Sequence, residues 1–268
     1  MANLKDLESK SIFILREVKK RFKNPVVLWS IGKDSTTLLY LCRKAFYDEI
    51  PFKVLHIDTE TEYEETYEFR DRIAKEWKLD LVVGKSEEKF KEKTCTSRKT
   101  EILKKEIEKH KFDAVIVGIR RDENSIRGME RYFSPRDREF RWNVTKEEKN
   151  EAGIGSAQDA ELSGWDIYAT EFKDSNHVRI HPLLHWTELD IWQYIKKENI
   201  PVVNLYFAKD GKRFRSIGCK CCSSPVKSRA DTIDKIIKEI DKDRNSERQG
   251  RDTEKEYNMQ KLRSLGYM

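Results

Sequence analysis

The stretch PVVLWSIGKDS, residues 25–35, joins a short apolar run to a polar loop. The apolar part, Pro25 to Trp29, has the length and composition of a parallel strand that is buried on both faces. The loop, Ser30 to Ser35, precedes a helical pattern that includes Leu38 and Leu39. A strand, a loop and a helix in this order build an open α/β sheet, which binds ligands at the carboxyl ends of its strands.

The same alternation continues on both sides of this unit. An N-terminal helix of ~20 residues is predicted, then strands over 52–58, 79–83 and 112–117, with helices over 62–77 and from a Ser97 cap to about His110. Strands and helices that alternate at this spacing predict a doubly wound parallel sheet of five or slightly more strands, with helices on both faces.

The second half of the chain is less regular. Residues 119–178 show little periodicity and many charges, and a loop region of this length is usually functional or mobile. Order is predicted to resume at Val178. Thr187 and Asp190 resemble a capping pair that opens a helix to Lys197, and another helix is predicted over about 231–242. We expect a nucleotide-binding domain over 1–218, and a helical and loop extension over 219–268 that packs on it.

The composition limits the class of protein. The chain has 268 residues, 37% hydrophobic and 38% charged, with a net charge of +6. Recurring apolar runs argue against wholesale disorder, and the mild positive charge suits an anionic ligand without indicating nucleic acid. We see no signal peptide and no apolar run of membrane-spanning length, and five cysteines do not form an even disulfide framework. A cytoplasmic location is therefore expected.

The polar loop has the features of a phosphate-binding site. Gly32 allows the backbone to approach an anion, and the start of the following helix offers N–H groups and a positive dipole. Ser30 and Ser35 add hydroxyl groups, and Lys33 adds a cation. The loop is not a Walker A motif, because Asp34 separates the lysine from the serine. The alternative interpretation is an ordinary turn between a strand and a helix.

The next strand also ends in polar residues. His56 and Asp58 close the run FKVLHID at residues 52–58. Carboxyl ends of adjacent parallel strands line one crevice, so these side chains would face the same ligand as the loop. For His56 alone, a hydrogen-bonded histidine inside the core is the favoured interpretation.

The loop Ser30 to Ser35 resembles the PP-loop of the ATP pyrophosphatase superfamily, which includes sulfate adenylyltransferase small subunits, reductases of adenylylsulfate and phosphoadenylylsulfate (PAPS reductase-like proteins) and several adenylating enzymes. Its Ile-Gly form resembles the sulfate adenylyltransferase branch. Supporting stretches occur in the family's order at 55–59, 67–72, 118–123, 133–137, 186–195 and 246–251. One departure is a short connection over 207–213, where the family often has a longer insertion.

The resemblance implies an adenine-nucleotide α-hydrolase-like fold and transfer of the adenylyl group of ATP to sulfate. It implies Mg²⁺ with the ATP, no flavin or haem, and a GTPase large subunit as partner, with neither a membrane nor nucleic acid involved. The residues expected at the ATP site are Ser30, Gly32, Lys33, Asp34, Ser35, His56, Asp58 and Gly118.

An arginine segment follows the fourth predicted strand. Residues 119–141 contain arginines at positions 120, 121, 127, 131, 136, 138 and 141, and no lysine. Arginine grips phosphate or sulfate with two parallel hydrogen bonds. We expect Arg120, Arg121, Arg127 and Arg131 to bind sulfate or phosphate, with Arg120 and Arg121 joining Lys33 in catalysis. The alternatives are a paired, solvated surface and a nucleic-acid site, although interleaved carboxylates disfavour the latter.

Three cysteines, Cys219, Cys221 and Cys222, crowd one short segment and are weak candidates for metal ligands. Zinc or an iron–sulfur cluster is not expected, because either normally needs four ligands and the remaining cysteines, at 42 and 95, are distant in sequence. Small buried thiols in a turn are the alternative. A metal stays open if His181 or His185 folds nearby.

The C-terminal tail carries the last family-like stretch. Arg248, Gln249, Gly250 and Arg251 are predicted to form a lid over the nucleotide or a contact with the partner, and a solvated terminus is the alternative. Two other functions remain open. A sulfonucleotide reductase would need a C-terminal cysteine, and no cysteine follows Cys222. A non-catalytic adenine-nucleotide or RNA-binding module would bind without transfer.

Overall fold

A computed structural model describes residues 4–85, 95–123, 125–128, 130–141, 175–242 and 247 of the chain. Its helices are α1 (Leu4–Arg21), α2 (Lys33–Ala45), α3 (Glu64–Glu76), α4 (Cys95–His110), α5 (Ser125–Gly128), α6 (Glu188–Glu198) and α7 (Ile233–Lys242). Its strands are β1 (Pro25–Leu28), β2 (Lys53–Asp58), β3 (Leu81–Lys85), β4 (Ala114–Ile116), β5 (Phe133–Arg136), β6 (His177–Ile180), β7 (Lys212–Arg213) and β8 (Val226–Lys227).

Six strands form one sheet in the order β3-β2-β1-β4-β6-β5. Strands β1, β2, β3, β4 and β6 run parallel, with Val27 opposite Val54 and Val26 opposite Val115. The order reverses at β1, from which the chain winds outward in both directions. The predicted doubly wound parallel sheet is confirmed, and its switch point lies beside the loop that follows β1.

The sheet separates two hydrophobic cores. Val27 and Trp29 point into the larger core, together with side chains of α1, α2, α6 and α7, whereas Val26 points into the smaller core beside α4. Successive side chains of a strand face opposite sides, so a strand in the middle of the sheet must be apolar throughout. Helices therefore cover both faces, as the sequence predicted.

Two local predictions need correction, and a third is confirmed. Strand β5 lies within the stretch expected to be irregular and pairs antiparallel with β6 at the sheet edge. Ser97 does not cap α4, because the helix already begins at Cys95. The capping box of α6 is confirmed: Thr187 Oγ1 accepts from the Asp190 amide at 3.1 Å, and Asp190 Oδ2 accepts from the Thr187 amide at 2.9 Å.

The described helices include none with the length and apolarity needed to cross a membrane.

Candidate functional site

The loop after β1 is held in a strained conformation. Ile31 has a φ of 65°, in the left-handed region that β-branched residues rarely occupy. Its side chain is buried in the larger core, which compensates for the unfavourable backbone. Gly32 follows in an extended conformation and precedes α2, while Ser35 Oγ lies 3.1 Å from Ser30 Oγ. The loop is therefore fixed by packing and hydrogen bonds.

A residue distant in sequence forms a hydrogen bond with the first turn of α2. The hydroxyl oxygen of Tyr206 accepts a hydrogen bond from the Lys33 backbone N–H at 2.9 Å. A Cβ added to Gly32 would lie 3.5 Å from that oxygen, an ordinary contact, so the surrounding protein does not itself require a glycine there. Close approach of a ligand remains the predicted role of Gly32.

Lys33 and Arg120 form a buried pair of cations around one carboxylate. Lys33 Nζ lies 2.5 Å from Glu247 Oε1, and Arg120 Nη2 lies 2.6 Å from Glu247 Oε2. Lys33 and Arg120 also contact Asp34, the former at 3.2 Å. Their side chains are 1% and 0% exposed, so both cations are shielded from solvent. The site thus holds a dehydrated anion between two cations.

The charges in this site stabilise one another against burial. Burial opposes the charge on Lys33, but Asp34 and Glu247 outweigh it and raise the pKa of the ammonium group. Burial opposes the charge on Glu247 as well, and Lys33 and Arg120 hold its pKa well below the ordinary value. All three groups are therefore charged at neutral pH.

The residues at the end of β2 are engaged inside the protein. His56 Nδ1 lies 3.0 Å from the carbonyl oxygen of Trp29, and burial lowers its pKa to about 4. Asp58 accepts hydrogen bonds from Tyr67 and from the Glu60 amide. A neutral His56 that joins the end of β1 to β2 fits the interpretation of a hydrogen-bonded core histidine. A direct role of either residue in binding ATP stays a prediction.

Gly118 positions the loop by its small size. A Cβ at this glycine would lie 3.2 Å from backbone atoms of Asp34 and Ser35. Such contacts are tighter than most real ones and involve backbone, which cannot move away cheaply. The end of β4 therefore packs directly against the start of α2.

The arginine segment divides into different environments. Arg120 lies with Lys33 around Glu247. Arg121 Nη1 instead lies 2.9 Å from His185 Nε2, and Arg121 Nη2 donates to the carbonyl oxygen of Glu130. Arg127 pairs with Glu123, and the buried Arg136 pairs with the equally buried Glu130 at 3.2 Å. The carbonyl oxygen of Arg131 lies 2.6 Å from His181 Nδ1. Of the four predicted sulfate ligands, only Arg120 is brought next to Lys33.

Sequence reasoning missed two carboxylates of this site, Glu247 and Glu188. Glu247 lies inside the tail stretch that resembles the family, next to the predicted lid residues Arg248, Gln249, Gly250 and Arg251, which fall outside the described residues. Glu188 pairs with Arg215 at 2.8 Å, and its charge also acts on Lys33. Glu188 belongs to the stretch at 186–195, so the family-like pattern was the available signal.

The cysteines are closer together than the sequence suggested. Cys219 Sγ lies 2.7 Å from Cys95 Sγ, 2.8 Å from Cys222 Sγ and 3.1 Å from Cys221 Sγ. Cys95 is distant in sequence but lies beside Cys219, because α4 begins next to the turn that holds Cys219. His181 and His185 contact Arg131 and Tyr132 instead. Hydrogen bonds from Cys222 and Cys95 lower the pKa of Cys219.

Comparison with known proteins gives the family. The chain is 41% identical to sulfate adenylyltransferase subunit 2 of Geotalea daltonii over 309 aligned positions, which cover 100% of this chain and 98% of the relative. It is 40% identical to the protein of that name from Proteus mirabilis, with the same coverage. The chain belongs to the sulfate adenylyltransferase subunit 2 family. Because 309 aligned positions exceed 268 residues, these sulfate adenylyltransferase subunits contain segments that the present chain lacks.

Wider comparisons agree with the fold. Residues 24–225 match the phosphoadenosine phosphosulfate reductase domain model, which fits the superfamily of the sulfate adenylyltransferase subunit 2 family. FMN adenylyltransferase of Candida glabrata superposes with a TM-score of 0.57 at 16% identity, covering 83% of this chain and 67% of that chain. The PAPS reductase of Candida auris gives 0.53 at 15% identity, covering 82% and 96%. The predicted adenine-nucleotide α-hydrolase-like fold is confirmed.

Proposed function

We propose that this chain transfers the adenylyl group of ATP to sulfate and releases pyrophosphate, as the catalytic subunit of a sulfate adenylyltransferase. The observation that carries the proposal is the clamp of Lys33 and Arg120 on the Glu247 carboxylate. A site that holds one dehydrated anion between two cations beside a helix start suits a phosphate group. The specific reaction is proposed from relatives that align over nearly their whole length and are named sulfate adenylyltransferase subunit 2.

The proposed chemistry needs no nucleophilic side chain. A sulfate oxygen attacks the α-phosphorus of ATP, and the bond to the pyrophosphate oxygen breaks. Such transfers depend on positioning and on stabilising charge. Lys33 and the backbone of residues 30–35 would hold the β- and γ-phosphates, while Arg120 and Arg121 stabilise charge near the α-phosphate. Arg127 and Arg131 would reach sulfate only if the arginine segment rearranges, since Arg127 now pairs with Glu123.

Mg²⁺ would enter with ATP. This ion prefers oxygen ligands and usually binds through one or two carboxylates together with phosphates of the substrate. Asp34 offers a carboxylate beside both cations and is 18% exposed, so its chemistry fits this role. The ion would offset the negative charge of the phosphates.

We further propose a two-subunit enzyme in the cytoplasm. The relatives are named as subunit 2, which implies a second subunit in their complexes. Joining sulfate to a phosphate is thermodynamically uphill, and a GTPase partner would supply the driving force. The purified chain should co-elute with such a GTPase, and full sulfate activation by the chain alone would contradict this part of the proposal.

The proposed architecture assigns residues 1–218 to nucleotide binding and residues 219–268 to an extension that closes the site. Ile236 and Ile240 of α7 are buried in the larger core, which supports packing of the extension on the domain. The contact of Glu247 with Lys33 supports a tail that reaches the ligand site. Arg248 and Arg251 would then act at the phosphates or at the partner.

The deciding experiment is sulfate-dependent exchange of labelled pyrophosphate into ATP, with the partner present. We expect exchange in the natural protein and a loss of ~100-fold or more in Lys33→Ala, as for other groups that stabilise a charged transition state. Lys53→Ala is the matched control, because Lys53 pairs with Asp80 on the surface. Near-normal exchange in Lys33→Ala would reject the assignment.

The two other functions would both give no exchange. A reductase would instead release sulfite from a sulfonucleotide when a thiol is supplied, which a separate sulfite assay measures. A binding module would retain ATP without exchanging pyrophosphate.

A further inference from the structure

Four of the five cysteines meet at one place, between the start of α4 and the turn that holds Cys219. The thiols of Cys95, Cys219 and Cys222 all lie within 4.8 Å of one another. Cys221 Sγ lies 3.1 Å from Cys219 Sγ and belongs to an exposed residue. The fifth cysteine, Cys42, is buried in the larger core. The cluster therefore has three converging thiols and a fourth at its rim.

The turn that carries three of these thiols is held in place by the backbone. The Cys222 and Ser223 amides both donate to the Cys219 carbonyl oxygen at 3.1 Å. The Ser223 hydroxyl accepts from the Gly218 amide at 2.7 Å. The Lys220 amide donates to the carbonyl oxygen of Thr61, in the loop after β2, at 2.8 Å. The thiols of Cys219 and Cys222 therefore face Cys95 from a preformed turn.

A single disulfide does not account for this arrangement. Cys219 has three sulfur neighbours within 3.1 Å, and an S–S bond would use only one of them. A tetrahedral zinc ion with Zn–S bonds of ~2.3 Å places its sulfurs ~3.8 Å apart. The thiols neighbouring Cys219 lie 2.7–3.1 Å from its sulfur, so each would move outward by roughly 1 Å to hold the ion. A four-iron cluster attaches each thiolate to a different iron and would spread the sulfurs more widely.

The surroundings suit a negatively charged centre. Four thiolates around Zn²⁺ carry a net charge of about −2. Cys95 is the first described residue of α4, where the helix dipole favours negative charge.

We propose that Cys95, Cys219, Cys221 and Cys222 bind one Zn²⁺ ion with a structural role, reversing the expectation from the sequence. Four thiolates leave no open position for substrate, which is typical of structural zinc. The ion would tie the start of α4 to the loop after β2 and to the segment before the turn. That segment includes Phe214, whose ring lies 5.1 Å from Tyr63, and Arg215, which holds Glu188 near Lys33.

The test measures metal in the full chain, purified under reducing conditions without chelator. We expect about one equivalent of zinc per chain. A strong chelator should lower the melting temperature by roughly 5 °C, and added Zn²⁺ should restore it. Cys95→Ser and Cys219→Ser should lose the bound zinc, and Cys221→Ser should weaken it. Cys42→Ala is the matched control, because it removes a thiol outside the cluster and should keep the metal.

A second measurement decides the matter if the cysteine variants fail to fold. The natural protein, stripped of metal and titrated with Co²⁺, should develop intense thiolate-to-cobalt charge-transfer absorption, which Zn²⁺ displaces. Reduced protein that takes up neither metal would overturn the proposal, as would iron with acid-labile sulfide or a stable Cys95–Cys219 disulfide. None of these readouts uses ATP or sulfate, so the result is separate from that of the proposed function.

Discussion

At the scale of single residues, the notable feature is a carboxylate where a phosphate is expected. Glu247 occupies the space between Lys33 and Arg120, and all three side chains are buried. An anionic ligand that enters this space must displace Glu247 or share the cations with it. If ATP binds between these cations as proposed, Glu247 competes with its phosphates. Without ATP, the Glu247 carboxylate keeps the two cations from repelling each other.

Glu247→Gln should separate these two effects. Without ATP, the melting temperature should fall, because Lys33 and Arg120 lose their shared counter-charge. ATP should bind about fivefold more tightly, equivalent to ~1 kcal/mol, since a competing anion is gone. Calorimetric titration with ATP measures the affinity. Glu239→Gln is the control, because Glu239 pairs with Arg213. Weaker ATP binding in Glu247→Gln would show that the carboxylate assists the nucleotide.

At the scale of elements, the site depends on how closely β4 approaches α2. Both elements begin or end at the carboxyl edge of the sheet, and Gly118 lies against the backbone of Asp34 and Ser35. Arg120 follows two residues later, so the position of β4 also sets the distance between the two cations. Strand order therefore decides which arginine meets Lys33.

Gly118→Ala should damage the site while preserving the fold. The added methyl group would push against the first turn of α2 and move Lys33 relative to Arg120. We expect pyrophosphate exchange to fall roughly 10–100-fold, since small misplacements of catalytic groups have effects of this size. Gly128→Ala is the control, because its added Cβ would lie 3.9 Å from the nearest atom. An unimpaired Gly118→Ala enzyme would show that the contact is dispensable.

The helix start at Thr187 gives a prediction for stability alone. Thr187→Ala removes the side chain that accepts from the Asp190 amide. The free energy of unfolding should fall by ~1 kcal/mol, as for other N-cap threonines. Urea denaturation measures the change. Thr187→Ser retains the hydroxyl and should recover most of the stability, and equal loss in both variants would contradict a capping role.

At the scale of the whole molecule, several buried histidines make the fold sensitive to acid. Burial lowers the pKa of His56 and His181 to about 4 and that of His177 to about 2. Their ordinary value is 6.5, which is also the value expected in the unfolded chain. Between pH 6.5 and 4 the unfolded state therefore binds protons that the folded state excludes.

Stability should fall as the pH drops from 7 to 5. Each histidine contributes a loss of about 2 kcal/mol over this range, because protons favour the unfolded chain. Urea denaturation at several pH values measures the slope. His177→Phe should reduce the slope of stability against pH by the equivalent of about one proton, because phenylalanine does not titrate. The substitution should not cost a hydrogen bond, since neither ring nitrogen of His177 has a hydrogen-bond partner among the described residues. Stability that is constant or higher at pH 5 would contradict this account.

Local sequence patterns were sufficient to predict the parallel sheet, its flanking helices, the loop after β1 and the capping box of α6. Each follows from a local pattern: a short apolar run, a helical period, or a polar residue at a fixed offset. Local patterns could not predict β5, because this strand forms by pairing with β6 at the sheet edge. Strand β6 begins more than forty residues later in the chain.

The contacts between side chains that are distant in sequence depend on the tertiary fold. Glu247 reaches Lys33 across 214 residues, and Cys95 reaches Cys219 across 124. The fold also divides the four arginines predicted to bind sulfate or phosphate. Arg120 lies beside Lys33 at Asp34, whereas Arg127 pairs with Glu123. Local patterns carry no information about such pairs. They arise because burying a charge requires a partner, and folding selects the partner that the crossovers bring within reach.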